Sequence, residues 1–106
     1  MRRTFRKPLI VMSPKFLLKF RGCNSDLEDF GEGLRFHKVL GDAHPNLVAD
    51  NQVRKVVYCS GQVYYNLEAK REKEGHNDVA IVRIEQIAPF PFKSLIETSK
   101  RFPNAE

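Results

Sequence analysis

Two short apolar runs separated by a polar, helix-forming stretch constrain this fold more than any other feature of the sequence. The first run, Val56–Cys59, is rich in β-branched residues, and the second, Val79–Ile84, contains a single charge. Between them, Gln62–Glu74 has the composition of a helix, and Gly75 marks its end. A strand, a helix and a second strand in this order predict a parallel pair joined by a crossover helix.

The helices are predicted to cover this sheet. In the first helix, Val63 and Leu67 are expected to face inward, and a proline-rich turn leads to a second helix over Phe92–Phe102. The strands are blocks of apolar residues rather than alternating ones, which is typical of sheets covered on both faces. We therefore predict an α/β fold with a mostly parallel sheet and helices on both faces. The bases predicted to face solvent are Lys70, Arg71 and Lys73, and the predicted apolar stripe of the second helix is Phe92, Leu95, Ile96 and Ser99.

The N-terminal half gives weaker signals. Leu9–Met12 predicts a short buried strand, after which Ser13 is expected to cap a helical turn that begins with Pro14. Leu34–Leu40 alternates apolar and polar residues and predicts a strand, followed by a surface loop over Gly41–Gln52. Three or four strands are fewer than the roughly five of an average sheet. We therefore expect a truncated domain or a fragment.

Composition and charge exclude several classes of protein. The 106 residues are 42% hydrophobic and 29% charged, which fits one globular domain and excludes wholesale disorder. No apolar run approaches the roughly 20 residues of a membrane span. Pro8 and Lys15 interrupt the N-terminal apolar segment and serine is scarce there, so we do not predict a cleaved leader. We therefore expect no association with a membrane.

The net charge of +5 raises the possibility of a nucleic-acid-binding protein. Residues 1–21 hold seven Lys and Arg and no acid, whereas the rest of the chain carries a net charge of −2. Phe5, Phe16 and Phe20 lie among these bases, as in a nucleic-acid-binding surface. They also share helical spacing with Leu17, however, and core packing explains that spacing first. Nucleic-acid binding is the less favoured interpretation.

No set of catalytic or metal-binding residues emerges. The three histidines, His37, His44 and His76, lack the short spacing of a ligand pair, so we predict no metal site. Cys23 and Cys59 form no CxxC motif, and a reduced compartment is the default. Ser60 lies in CSG rather than GxSxG and is expected to cap a helix, and the lone Glu85 after the second run is expected to form a salt bridge.

An anion site is the best-supported local hypothesis. Ser60 and Gly61 lie between a strand and a helix, where backbone N–H groups and the helix dipole favour a phosphate. No glycine-rich phosphate loop is present. Residues that could add side-chain contacts are Arg35, Lys38, Gln86 and Lys93. The alternative is that these are solvated surface residues.

Three blocks of the sequence resemble one family. FRKPLIVMSPKFLL at 5–18, KVVYCSGQVYYNL at 55–67 and DVAIVRIEQIAPFPFKSL at 78–95, followed by RFPNAE, are similar to the C-terminal domain of 2-oxoglutarate dehydrogenase. The blocks occur in the right order over nearly the whole chain, and only 21–52 diverges. The resemblance implies a transketolase C-terminal-domain-like fold, with residues 1–106 forming a single, partial domain.

The resemblance also implies an activity for the full-length enzyme, which belongs to the tricarboxylic acid cycle. That enzyme decarboxylates 2-oxoglutarate with thiamine diphosphate and Mg²⁺ and passes the succinyl group to lipoamide on a partner succinyltransferase. The cofactor-binding motifs lie upstream in the family and are absent here, so we expect this chain to bind neither cofactor and to be inactive alone. The implied compartment is the mitochondrial matrix in a eukaryote and otherwise the cytoplasm.

In this family the C-terminal domain packs in a homodimer, and in some bacterial members it binds an acyl-CoA effector. The positions that resemble the effector site are Arg35, Lys38 and Gln86, with Lys93 and Ser94 further on. Lys38 and Ser94 depart from the usual residue types. The alternatives from another class are a small basic α/β module that binds nucleic acid, and a stand-alone regulatory subunit that binds a nucleotide or CoA-type anion.

Overall fold

Two helices and a three-stranded sheet form the regular part of residues 4–106. The computed structural model describes residues 4–106. In chain order the strands and helices are β1 (Val39–Leu40), β2 (Lys55–Cys59), α1 (Val63–Glu74), β3 (Val79–Ile84) and α2 (Phe92–Ser99). Single 3-10 turns cover Leu17–Lys19, Leu27–Phe30 and Asp50–Gln52.

β3 is the central strand of the sheet. It pairs in parallel with β2, with Lys55 opposite Val79 and Cys59 opposite Arg83. It pairs antiparallel with β1, where Leu40 also lies opposite Arg83. The α/β prediction is confirmed at the level of class, whereas the sheet predicted to be mostly parallel is mixed, with one parallel and one antiparallel pair.

Alternate residues of β3 point to opposite faces of the sheet, and both faces are covered. On one face, Ala80 and Val82 pack with Val53 and with Phe102, which follows α2. On the other face, Ile81 lies against α1. The Tyr58 hydroxyl is hydrogen-bonded to the Ser99 hydroxyl of α2 at 2.6 Å, which ties that helix to β2 on the first face.

The prediction of a buried strand at Leu9–Met12 is wrong. This segment has no regular structure, and its four side chains are 66% to 93% exposed. A strand needs a neighbouring backbone, and no strand pairs with this segment among residues 4–106. Ser13 likewise caps no helix, since the first 3-10 turn begins at Leu17 and its N-cap is Phe16.

The strand predicted over Leu34–Leu40 is shorter than expected. Only Val39 and Leu40 pair with β3, while Leu34 and Phe36 are exposed. The Lys38 carbonyl accepts from the Glu85 and Gln86 amides at 3.0 and 3.1 Å, just past the end of β3. Because β3 ends at Ile84, no strand in the described part of the chain is left for residues before Lys38 to pair with.

The segment Gly41–Gln52 is more than the surface loop that we predicted. It contains the 3-10 turn Asp50–Gln52, and Leu47 and Val48 pack against the core. The Val48 amide donates to the Asn77 carbonyl at 3.0 Å, which joins this segment to the turn before β3. Part of the segment therefore belongs to the hydrophobic core.

The position of α1 is predicted correctly, and its inward face is predicted correctly only in part. α1 ends at Gly75, which has φ of 68°, a left-handed conformation that favours glycine. The covered side of α1 carries Tyr64, Leu67 and Arg71, whereas Val63 is 46% exposed. Leu67 thus faces inward as predicted, whereas Val63 does not, and Arg71, which was predicted to face solvent, is buried. Long amphipathic side chains form much of the covered face.

α2 is also shorter and less buried than predicted. It ends at Ser99 rather than Phe102. Of the predicted apolar stripe, Phe92 and Ile96 are exposed. Phe102 is instead 3% exposed in the core beyond the helix. The apolar side chain that packs this region against the core therefore lies in the turn after α2 and not on the helix itself.

Candidate functional site

An open cavity of about 870 Å³ lies beside the carboxyl end of β3. This is the edge where α/β sheets commonly place ligands. Its lining combines basic side chains (Arg35, His37 and Arg83) with aromatic and thiol ones and with two carboxylates, Asp29 and Glu85. Such a lining is suited to an anion with an apolar or planar part.

Arg83 is the best-positioned cation in this cavity. Its guanidinium lies 4.5 Å from the ring centroid of Tyr64 and 5.9 Å from that of Tyr65. Its Nε donates to Oε1 of Glu85 at 2.8 Å. Burial acts to lower the pKa of Arg83, but the charge and hydrogen bond of Glu85 raise it above the ordinary value. Arg83 is therefore a fixed positive charge.

The two tyrosines beside Arg83 are neutral at physiological pH. Burial, aided by a hydrogen bond to Glu68, raises the pKa of Tyr64 to about 12. Burial and a hydrogen bond with Cys23 likewise raise the pKa of Tyr65 to about 12. Both phenols can therefore donate hydrogen bonds. The Tyr64 hydroxyl donates to Oε1 of Glu68 at 2.7 Å, so Tyr65 is the one that lines the cavity.

The residues predicted to contact an anion are only partly brought together. Arg35 lines the cavity, and the backbones of Lys38 and Gln86 are joined by the hydrogen bond between the Lys38 carbonyl and the Gln86 amide. The Gln86 side chain donates to the Pro89 carbonyl at 2.6 Å. Lys93 is exposed in the first turn of α2. A shared ligand for these four residues stays a prediction.

The turn at Ser60 and Gly61 has the geometry of a strand-to-helix connection. Gly61 has φ of 69°, which requires glycine. The N-cap of α1 is Gln62 and no side chain caps it, so the prediction that Ser60 caps this helix is wrong. Burial raises the pKa of the neighbouring Cys59, so its thiol is protonated and a poor nucleophile. Anion binding at this turn stays a prediction.

A buried ion pair between Asp42 and Arg71 was missed by the sequence reasoning. The Asp42 carboxylate accepts from Nη1 of Arg71, from the Ile81 amide at 2.7 Å and from the His44 amide at 2.9 Å. Nη1 of Arg71 also donates to the Val79 carbonyl at 3.1 Å. The pair joins the segment after β1 to α1 and β3. The two residues are 29 positions apart, and only the placement of Asp42 two residues after a strand hints at such a role.

Two negative findings bound the chemistry of the described part of the chain. Residues 4–106 contain no group of three or more His, Cys, Asp or Glu side chains arranged to hold a metal ion. Within the same residues, no helix has both the length and the apolar character needed to span a membrane.

Comparison with known proteins identifies the family. Residues 24–106 match the family described as 2-oxoglutarate dehydrogenase C-terminal. The chain therefore belongs to this family, and the resemblance inferred from the three sequence blocks is confirmed.

The individual relatives are dehydrogenase components. The chain is 46% identical over 113 residues to the 2-oxoglutarate dehydrogenase E1 component of Brucella anthropi, covering 100% of this chain and 11% of the relative. It is 43% identical over 104 residues to the probable 2-oxoadipate dehydrogenase complex component E1 homolog of Dictyostelium discoideum, covering 97% of this chain and 11% of the relative. The chain thus spans about a tenth of the length of these relatives.

Proposed function

We propose that this chain is the C-terminal part of a 2-oxoglutarate dehydrogenase E1 component and serves the enzyme as a scaffold rather than as its catalytic centre. The enzyme would decarboxylate 2-oxoglutarate and transfer the succinyl group to lipoamide on its succinyltransferase partner. The observation that carries the proposal is the family match over residues 24–106. The relatives are about nine times longer than this chain. The residues that bind the cofactors and carry out catalysis would then lie in the other parts of the enzyme.

The exposed apolar side chains support a scaffold role. One group is formed by Leu9–Met12, and a second by Phe92 and Ile96, which lie one turn apart on α2. Contiguous exposed apolar surface commonly marks an interface. We infer that these surfaces pack against other parts of the E1 polypeptide or across its homodimer.

The described residues do not fit thiamine diphosphate or Mg²⁺. Mg²⁺ in such a site prefers clustered oxygen ligands, and residues 4–106 hold no acidic cluster of that kind. No glycine-rich phosphate loop precedes α1. Both cofactors are therefore proposed to bind in other domains of the enzyme. The proposed compartment is the mitochondrial matrix in a eukaryote or the cytoplasm in a bacterium.

The first test is an assay of the purified chain with 2-oxoglutarate, thiamine diphosphate, Mg²⁺ and an artificial electron acceptor. We expect no turnover above the rate without protein, because we propose that both cofactors bind in other domains of the enzyme. The Brucella anthropi E1 component, assayed in parallel, is the positive control. Saturable, thiamine-dependent turnover by the 106-residue chain alone would overturn the scaffold proposal.

A second role, binding of an acyl-CoA effector, is favoured by the cavity beside β3. Arg35 and Arg83 line this cavity. Lys38 lies just before β1 and Gln86 just after β3, and their backbones are hydrogen-bonded to each other. Two guanidinium groups on one cavity provide fork-shaped donors for a phosphate. We propose that this region, rather than the turn at Ser60 and Gly61, binds the phosphates of a CoA-type anion.

Thermal unfolding with added acetyl-CoA tests this role. Binding to the native state raises the midpoint, and a ligand at 100 times its dissociation constant stabilises by about 2.7 kcal/mol. We expect the Arg35→Gln substitution to abolish most of the rise in midpoint and Lys19→Gln, which removes a base outside the cavity, to leave it unchanged. An equal rise in both variants would contradict the assignment of Arg35.

A further inference from the structure

Residues 6–21 form a segment that we call the basic arm. Its apolar side chains at Leu9–Met12 and Leu18 are exposed, as is every residue over 4–16. The radius of gyration of the chain is 16.1 Å, against about 13 Å for a compact domain of this size. The basic arm therefore extends away from the body of the domain. It contains no acid and five bases, which are Arg6, Lys7, Lys15, Lys19 and Arg21.

Residues 26–36 form a second exposed segment, the acidic segment, of opposite charge. It holds four acids against one base, a net charge of −3. Its apolar side chains lie among these charges and are also exposed; they are Leu27, Phe30, Leu34 and Phe36. Exposed apolar side chains grouped with charges are typical of an interface. The acids are Asp26, Glu28, Asp29 and Glu32.

The two segments do not neutralise each other within one copy. Among the described residues, neither the five bases of the basic arm nor the four acids of the acidic segment form an ion pair. The Phe20 ring packs edge-on against Tyr65 at 5.3 Å, and the Cys23 amide donates to the Phe20 carbonyl at 3.0 Å. These contacts hold the junction between the two segments against α1. Opposite charges and exposed apolar side chains are thus left for a partner on both segments.

A second copy of this chain fits both segments at once. Each copy carries one segment of each sign, so a twofold axis brings the basic arm of each copy to the acidic segment of the other. Both contacts then form together in one closed dimer. Charge complementarity of this kind directs association and fixes its register. A different partner would have to supply both an acidic and a basic apolar surface.

We propose that two copies of this chain associate by exchanging their basic arms. Leu9–Met12 of each copy packs against Leu27 and Phe30 of the other, and the bases on either side of Leu9–Met12 face the acids of that copy. This inference rests on the scaffold function proposed above, because it assigns a partner to the exposed Leu9–Met12. Its tests measure association rather than catalysis, so either proposal can fail without the other.

The first test is sedimentation equilibrium of the full chain over a range of protein and salt concentrations. We expect a monomer–dimer equilibrium whose dissociation constant rises at least about tenfold from about 0.1 M to about 1 M NaCl. The reason is that the Debye length falls over this range from about 10 Å to about 3 Å. A chain that stays monomeric up to about 1 mM, or a dimer that salt does not weaken, would overturn the proposal.

Charge reversal tests the pairing of the two segments. Arg6→Glu, Lys7→Glu and Lys15→Glu together give the basic arm a net charge of −1, and Glu28→Lys with Glu32→Lys gives the acidic segment a net charge of +1. Each variant then carries two segments of like charge, and we expect each to dimerise at least about tenfold more weakly than the unmodified chain. In an equimolar mixture both contacts again join opposite charges, so we expect a heterodimer.

A matched control reverses three exposed bases outside the basic arm. Lys73→Glu, Lys93→Glu and Lys100→Glu together change the net charge by the same amount as the arm variant and should leave dimerisation unchanged. Far-UV circular dichroism confirms that every variant is folded. Undiminished dimerisation by either charge-reversed variant, a mixture of the two that stays monomeric, or an equal loss in the control would overturn the arm exchange.

Discussion

Replacing Arg71 with methionine is expected to lower the free energy of unfolding by about 3–5 kcal/mol, which is a large part of the stability of a small domain. The reason is the Asp42 carboxylate, whose side chain is 3% exposed and would lose its counter-ion. Its two backbone donors, the amides of His44 and Ile81, would remain. Urea unfolding followed by far-UV circular dichroism measures the change.

The matched control removes both charges. In the double variant Asp42→Asn and Arg71→Met, the asparagine carbonyl can still accept from the Ile81 amide, and no charge is left buried. Replacing a buried ion pair by neutral groups is often close to neutral in stability. We therefore expect the double variant to recover most of the loss. A single Arg71→Met variant as stable as the unmodified chain would show that this pair does not hold the segment after β1 to the sheet.

Phe102→Ala is expected to cost about 3–5 kcal/mol, the usual range for removing a fully packed phenylalanine. Phe102 packs with Val53, Ala80 and Val82 in the core, so the truncation leaves a cavity where the turn after α2 meets the sheet. Thermal unfolding by calorimetry measures the loss, which should appear as a lower midpoint with the same unfolded baseline.

Phe92→Ala is the control for this prediction, because it makes the same chemical change at the start of α2. Phe92 is 68% exposed, and substitutions at such positions usually change stability by less than about 0.5 kcal/mol. If Phe92→Ala destabilised the isolated chain as much as Phe102→Ala, the packing of α2 described above would be wrong.

The regular elements that the sequence predicts correctly are those whose signals are local. β2, α1 and β3 each carry an apolar run or a helical pattern, and Gly75 ends α1 through its own backbone conformation. These signals do not depend on distant residues. The parallel pairing of β2 with β3 then follows from the length of the connection between them.

The errors occur where the structure depends on a partner distant in sequence. Leu9–Met12 has the composition of a strand, but no described strand pairs with it. Leu34–Leu40 alternates as a strand does, but β3 ends at Ile84 and leaves only two residues paired. Arg71 was expected to face solvent because charged residues usually do, and its buried position depends on Asp42 in a different element.

The candidate site was predictable only in part for the same reason. Arg35 could be singled out as a base on the strand predicted over Leu34–Leu40, but nothing in the sequence shows that Arg83 would lie over the rings of Tyr64 and Tyr65. Arg83 is inside an apolar run, and an unexpected base in a buried strand is the one signal that could have identified it.

The central claim is that this chain is a non-catalytic domain of an E1 component, and replacement within a relative tests it most directly. The chain would take the place of the matching segment in the Brucella anthropi E1 component, and 2-oxoglutarate decarboxylation would be measured with thiamine diphosphate and Mg²⁺. We predict that the chimera keeps at least about a tenth of the parent rate. This corresponds to an increase in the activation free energy of at most about 1.4 kcal/mol. A chimera with the parent's folding and oligomeric state but no activity would contradict the claim.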